Sequence, residues 1–526
     1  MNLIFDPWIP VVLQSGSRRR IRPADLTAED RPVRLDAPRA DFNGALIQFL
    51  IGLLQCTRAP AYPRDWRRDF DTPPAPEVLH ESFSSIAKAF ELDPSQPPAF
   101  LQDAWSPATS KWEPIERLLV EWPESGIFVR RAPMEGLCRP CTAAAIISLT
   151  QTGAPSGRGY FSGLRGGGPV TTLLLDPHPD AGTLFHTCWL NVLKQDQFMD
   201  YGAVDKRSLA DRFPWFEDWK SGKSVKRVQC TPENSSPDQV FFSQSRRLRL
   251  HWSDVKGFCG LCGYSDNRLA TEFQTESEGL SYSGGWRHPL SPQIKKQDGS
   301  LRFVETPGSG MTYRNWPGWV LGAGGVEPAS VLSARRNQMD SGRSAELRVW
   351  AFGFQTANAK IRSWNESIMP WIDVAQDLRE AFAVRTHALV AAVDYAAWAL
   401  CKHVAEAVRV SSPTKKTFGQ SLNGRLWRET EDRFYEMVDQ LRSDPVGIAA
   451  DQYMREWRDV LEQEVSRLFN QAVDVESKMV VSPRSVAMAW KALSMKLRGP
   501  KMYKQLGISP PGRERKKKIS KKEILT

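Results

Sequence analysis

Apolar positions recur at helical spacing near the amino end and again over the last third of the chain, with strand-like runs between them. Leu46, Phe49, Leu50, Leu53 and Leu54 repeat every three or four residues, which predicts a helix over Phe42–Cys56 with Asp41 as its cap. The apolar run Ala45–Leu54 is interrupted at Gln48. Val78–Phe90 predicts a second amphipathic helix, and the Pro-rich segments 59–76 and 93–107 read as loops. Asn2–Val11 reads as a short strand carrying Pro7 and Pro10. Each proline removes a ladder donor, so an edge or a kinked entry strand is expected. Arg18–Arg20 falls in the turn after it. Val170–Leu175, Arg246–His251, Leu301–Thr306 and Leu347–Phe352 are apolar or alternating and read as strands.

From Pro370 the glycines and prolines thin out and helical periodicity takes over. Trp371–Val410 carries an apolar stripe at Ile372, Ala375, Leu378, Phe382 and Leu389. Leu422–Arg442, Ala449–Ala472 and Pro483–Leu497 supply three more helices, which predicts a four-helix bundle. The expected class is α+β: a large mixed α/β domain over 1–368, the bundle over 369–505, and a basic, disordered tail over 506–526. A chain of 526 residues is long enough for several domains. The longest apolar runs, Ala45–Leu54 and His387–Leu400, are broken by Gln48 and Asp394 and are too short to span a bilayer. The opening residues have no basic and apolar leader pattern. A soluble, cytoplasmic protein with no membrane partner is expected.

Two CxxC pairs add a geometric demand: Cys138-Arg139-Pro140-Cys141 and Cys259-Gly260-Leu261-Cys262. Each pair presents two thiolates to one ion, and together they complete a tetrahedral Cys₄ site for structural Zn²⁺. That site folds the intervening chain back until its ends meet. Cys56, Cys188, Cys230 and Cys401 are scattered and read as ordinary thiols. Inside the closed segment lies the most glycine-dense run, Gly157–Gly168, with Arg158 and Arg165 in it. Such a run lets backbone approach something closely, and the arginines fit a phosphate backbone or a DNA groove. Net charge is +10, of which Arg513–Thr526 supplies half with seven basic and two acidic residues. This balance suits a polyanionic partner. No GxxxxGK[ST], HExxH or GxSxG motif occurs, and the seven histidines are not closely paired. Nothing in the sequence asks for catalysis, and a non-enzyme is expected.

The N-terminal FDPWIPV, the two CxxC pairs, SGLRGGGPVTT at 162–172 and GGWRHPLSP at 284–292 resemble, in their order and spacing, one family. It is the large subunit, CasA, of the type I-E CRISPR Cascade surveillance complex. The resemblance implies a non-catalytic subunit beside crRNA and the backbone, small and crRNA-end-binding subunits. Its implied work is to read the protospacer-adjacent motif (PAM) of double-stranded target DNA from the minor groove. It would then promote strand separation and R-loop formation and help recruit the helicase-nuclease in antiviral defence. Carried onto this chain, the family's glycine loop falls on Gly157, Arg158 and Gly159, and its strand-separating wedge on Ala357, Asn358 and Ala359. A PAM-reaching lysine of a relative falls on Ser277, which implies an altered motif preference. Phe128, Val129, Arg130 and Arg131 match a loop that anchors the subunit to the crRNA end; an aromatic followed by arginines suits stacking and phosphate contact. The alternative is an architectural zinc-clasped scaffold of a ribonucleoprotein. A third reading, a nuclease using scattered carboxylates and a metal, would show as cleavage by the protein alone.

Overall fold

The computed structural model describes residues 1–103, 111–120, 134–153, 161–177, 182–216, 228–276, 279–336, 338, 347–357, 360–408, 412–476 and 482–510. The chain divides into two compact units: Met1–Met311 with Gly318–Asp373, and Thr312–Pro317 with the chain from Val374 onward.

The first unit is built on the helix Ala40–Arg58, buried from Phe42 to Gln55 except at Asn43. Asp41 lies in its first turn and is itself buried, accepting from Ser148 Oγ at 3.0 Å and from Arg39 Nε at 2.9 Å. Around Phe49 gather Trp8, Phe90, Phe100 and Phe242 in edge-on contacts, extended by Phe213 and Trp215. Small residues on the same helix admit other elements: a Cβ on Gly44 would stand 2.7 Å from the Trp364 ring. The helix therefore seats the hairpin that carries Trp364.

Ile9–Leu13 is the central strand of a three-stranded sheet, between Arg18–Ile21 and Pro32–Leu35. This corrects two expectations, the edge strand and the arginine turn. Pro10 is tolerated because the third strand pairs only from Val11, so the missing donor faces no partner there. Within the segment 59–76, Pro63–Asp71 forms a helix with Pro63 in its first turn, where a missing N–H costs nothing. The strand Arg348–Ala357 lies between Thr171–Leu175 and the long strand Lys360–Pro370, both antiparallel to it.

In the second unit, helices Arg379–Ala407, Ser412–Glu429, Glu431–Ser443, Ile448–Glu476 and Pro483–Leu497 are joined by the short Pro500–Gln505. The first of these packs against all the others. Gln376–Ala407 is long and apolar enough to cross a membrane by length and composition alone. Most of its apolar surface is covered by the neighbouring helices instead.

Leu422–Arg442, expected as one helix, is divided at Thr430, whose hydroxyl bonds back to Leu426 O at 2.6 Å. The sequence reading also missed the segment Thr312–Pro317, which belongs with these helices. Tyr313 stacks on Phe434 at 4.3 Å and its hydroxyl lies 2.6 Å from Thr430 Oγ1, while Arg314 pairs with Asp394 at 3.0 Å. Tyr313 is fully buried. Tyr313→Ala is expected to cost about 3–5 kcal/mol, and Tyr313→Phe about 1 kcal/mol. Urea unfolding followed by helical circular dichroism measures both; equal midpoints for the two variants would show that the ring's packing is dispensable.

Candidate metal centre and nucleic-acid interface

Cys138 ends the short strand Leu137–Cys138, paired to the strand Leu269–Glu276, and is the N-cap of the helix Arg139–Thr152. Pro140 stiffens the turn between Cys138 and Cys141. The second pair sits on a knuckle between Gly257–Phe258 and Ser265–Asp266, which pair antiparallel. Gly263 closes it at φ +72°, a left-handed turn that suits glycine. The knuckle is fastened by Gly260 N to Gly136 O and Cys259 N to Tyr264 O, each 2.9 Å. Arg139 grips Asp266 through Nη2 at 2.8 Å, Nε at 3.1 Å and its backbone N–H at 3.0 Å, so the two halves are tied independently of the thiols.

The four Sγ atoms lie within 4.8 Å of one another, with Cys138 and Cys262 at 3.6 Å, and all four cysteines are free thiols. A tetrahedral zinc tetrathiolate with Zn–S bonds of about 2.3 Å places its sulfurs about 3.8 Å apart. The cluster therefore fits a closed metal site with no position left open for substrate. Hydrogen bonds from Cys138 and Cys141 draw the Cys262 thiol down to about 7. Hydrogen bonds with Cys138, Cys259 and Cys262 hold the Cys141 thiol well above its ordinary range. Packed thiolates repel one another, and a bound divalent cation removes the conflict by replacing the shared protons. Arg20 was not foreseen here. Its Nη2 lies 3.6 Å from Cys262 Sγ and 3.9 Å from Cys138 Sγ, and its guanidinium sits 4.7 Å from the Tyr264 ring centroid. It supplies positive charge beside a cluster that stays negative with a divalent ion bound.

Of the other candidate residues, Phe128, Val129, Arg130, Arg131, Gly157, Arg158, Gly159, Ser277, Asn358 and Ala359 lie outside the described residues. Ala357 is described: it pairs with Lys360 as the last rung of the hairpin Arg348–Ala357 and Lys360–Pro370. What the structure does place is the root of the glycine run. Gly168, at φ +69°, packs so tightly that an added Cβ would stand 2.5 Å from Phe354 O and 2.8 Å from Thr356 Cγ2. The strand Thr171–Leu175 that follows pairs with Arg348–Phe352 of the same hairpin. The glycine run and the far end of the hairpin thus share one foundation.

Arg165 departs from its expected ligand-facing role. It is fully buried, donating to Gln48 Oε1 at 2.7 Å, Thr171 Oγ1 at 2.8 Å, Ser291 Oγ at 2.9 Å and Gln151 O at 3.4 Å. Burial lowers its pKa to about 9, so it remains a cation at neutral pH. Arg165 joins the SGLRGGGPVTT and GGWRHPLSP segments through Ser291, and reaches the central helix through Gln48. The polar break in the apolar run at Gln48 was the visible signal of this network; its partners were not visible.

A model of the family "CRISPR-associated protein Cse1" matches residues 2–468. Thermus thermophilus CasA (Cse1) shares the fold with a TM-score of 0.67 at 16% identity, covering 94% of this chain and 99% of that one. Thermobifida fusca Cse1 is similar at a TM-score of 0.69 and 14% identity, covering 96% and 98%. A chain of a CRISPR RNA-guided surveillance complex is similar at a TM-score of 0.70 and 14% identity, covering 95% and 99%. Identities this low speak for the fold alone, whereas the family match runs through both units, the cysteine clasp and the glycine run. The chain belongs to the CRISPR-associated Cse1 family.

Proposed function

We propose that this chain is the non-catalytic large subunit of a cytoplasmic, crRNA-guided Cascade complex, and that it reads a short motif in double-stranded DNA from the minor groove. On this reading Gly157, Arg158 and Gly159 enter the groove, and Ala357, Asn358 and Ala359 form the wedge that parts the strands. Guide pairing then extends the opening, and the helicase-nuclease is recruited afterwards. Phe128, Val129, Arg130 and Arg131 hold the crRNA end against the neighbouring subunits. The clasp of Cys138, Cys141, Cys259 and Cys262 holds a structural Zn²⁺, and the second unit serves as the four-helix bundle with Glu431–Ser443 as an added segment.

The observation that carries the reading is the shared foundation of the glycine run and the hairpin. A groove reader and a strand wedge must act on adjacent base pairs, and two loops on one rigid root meet that need. The minor groove distinguishes base pairs incompletely, so tolerance of several motifs is expected. Duplex binding by the reconstituted crRNA complex across a motif library tests the proposal. Gly159→Asp and Asn358→Ala should each lower motif-dependent binding at least about tenfold, equivalent to one lost groove contact or wedge, with assembly intact. If binding and motif choice persist without this chain, the subunit is a scaffold and the proposal fails.

A further inference from the structure

The positive charge of the protein is concentrated at one end. From Ser482 to Thr526 there are thirteen Lys and Arg residues and only two acidic ones, against a net charge of +10 for the whole chain. Six of the thirteen lie in 482–510, with no Asp or Glu among them. All of this lies beyond residue 468, where the family match ends.

Within the second unit, these residues meet an aromatic pair of which one ring, Trp398, is exposed and the other, Tyr395, is buried. Tyr395 and Trp398 stack at 5.6 Å with an interplanar angle of 24°, and Trp398 remains 47% exposed. Lys402 Nζ stands 5.4 Å from the Trp398 ring centroid. Lys501 Nζ stands 5.6 Å from the same ring and 5.1 Å from that of Tyr395. Lys504 follows one turn after Lys501 and is exposed, as are Lys491 and Lys496 on the preceding helix. Among the described residues no carboxylate pairs with any of these five lysines. Arg498 differs in being neutralised by Glu462. Lys402 and Lys501 meet on one ring with Lys504 a turn away, and ammonium groups brought together without counter-charges raise the energy of the free protein, which a polyanion relieves. The ring contacts hold two of those groups in place before any ligand arrives.

We infer that this face is a second, sequence-independent DNA-binding surface, taking the phosphate backbone of duplex DNA. A single strand would need free aromatic faces on which bases stack. Here the Trp398 and Tyr395 rings stack on each other and carry lysines. Ammonium groups standing on an exposed helical face match phosphates along a duplex exterior, which position a protein without reading sequence. The inference goes beyond the motif reading above and does not depend on it.

The test uses the full chain and a labelled duplex of arbitrary sequence, titrated at several potassium chloride concentrations by fluorescence anisotropy. The triple variant Lys402→Glu, Lys501→Glu, Lys504→Glu should bind at least about tenfold more weakly at moderate salt. Its log–log salt slope should become shallower by about 3, one released counterion per lost contact. Lys→Arg at the same three positions should preserve both quantities, and thermal melting should match the parent. A chain ending at Pro510 separates the tail: the triple variant must still weaken binding in that shorter background. Parent-like affinity and slope in either background would overturn the inference. A loss confined to single-stranded DNA would overturn the duplex assignment.

Discussion

Cys138→Ser is expected to abolish stoichiometric metal binding and to lower the unfolding midpoint of the first unit by on the order of 10 °C. The clasp joins thiols 124 residues apart in the chain. Structural zinc contributes directly to folding, since the unfolded chain offers no preformed site; peptide-scale sites supply about 10–16 kcal/mol of apparent binding energy. Much of that is offset by ordering the loops, and the Arg139–Asp266 contact partly survives without the ion. A net cost of several kcal/mol remains, and at about 2–4 °C per kcal/mol for a large domain it gives the stated shift. Metal content per chain and thermal unfolding with and without a chelator measure both halves of the claim. The chelator should reproduce the Cys138→Ser shift in the parent and add nothing further to the variant. Equal metal content in parent and variant would sink the clasp.

Arg165→Ala should destabilise the first unit by about 3–5 kcal/mol and, unlike a core truncation, disturb the root of the glycine run as well. The substitution leaves a cavity where a fully buried guanidinium stood and strips donors from Gln48, Thr171 and Ser291. Buried acceptors without donors cost about 1–3 kcal/mol each, and the losses overlap because the site can partly collapse or admit water. Arg165→Lys keeps the charge but cannot span acceptors in several directions from one planar group, so it should recover only part of the stability. A distinctive readout is amide exchange over 161–171, which should accelerate more than exchange in the strand Lys360–Pro370. Unchanged exchange there would mean that Arg165 packs the core without organising the root of the glycine run. If the root is disturbed, motif-dependent DNA binding in the assembled complex should fall even though Arg165 lies away from solvent.

Local geometry explains which parts were legible beforehand. A CxxC turn states its own requirement within four residues, so two of them declare a tetrahedral site whatever lies between. Helical periodicity is equally local, and it located Ala40–Arg58 and the C-terminal helices to within a turn or so at most ends. Thr430 was harder, because the stop depends on its hydroxyl engaging both Leu426 O and Tyr313, the latter far away in the chain. Lys360–Pro370 was missed as a strand because it is mostly exposed or half-buried and shows little apolar alternation; its pairing with Arg348–Ala357 supplies the order.

The sequence by itself determined which four cysteines cluster, the helical character of the last third and the family, since each rests on residue types at short or fixed spacing. Only the tertiary structure decided that Ile9–Leu13 is central, that Arg165 faces inward to Gln48 and Ser291, and that the glycine run is rooted on the hairpin. A charged residue in a glycine-rich stretch reads as a surface contact until its acceptors are known. Two of those acceptors, Gln48 and Ser291, come from distant segments whose meeting is fixed by packing around Ala40–Arg58. Burial and long-range pairing are properties of the assembled core, and no window along the chain contains them.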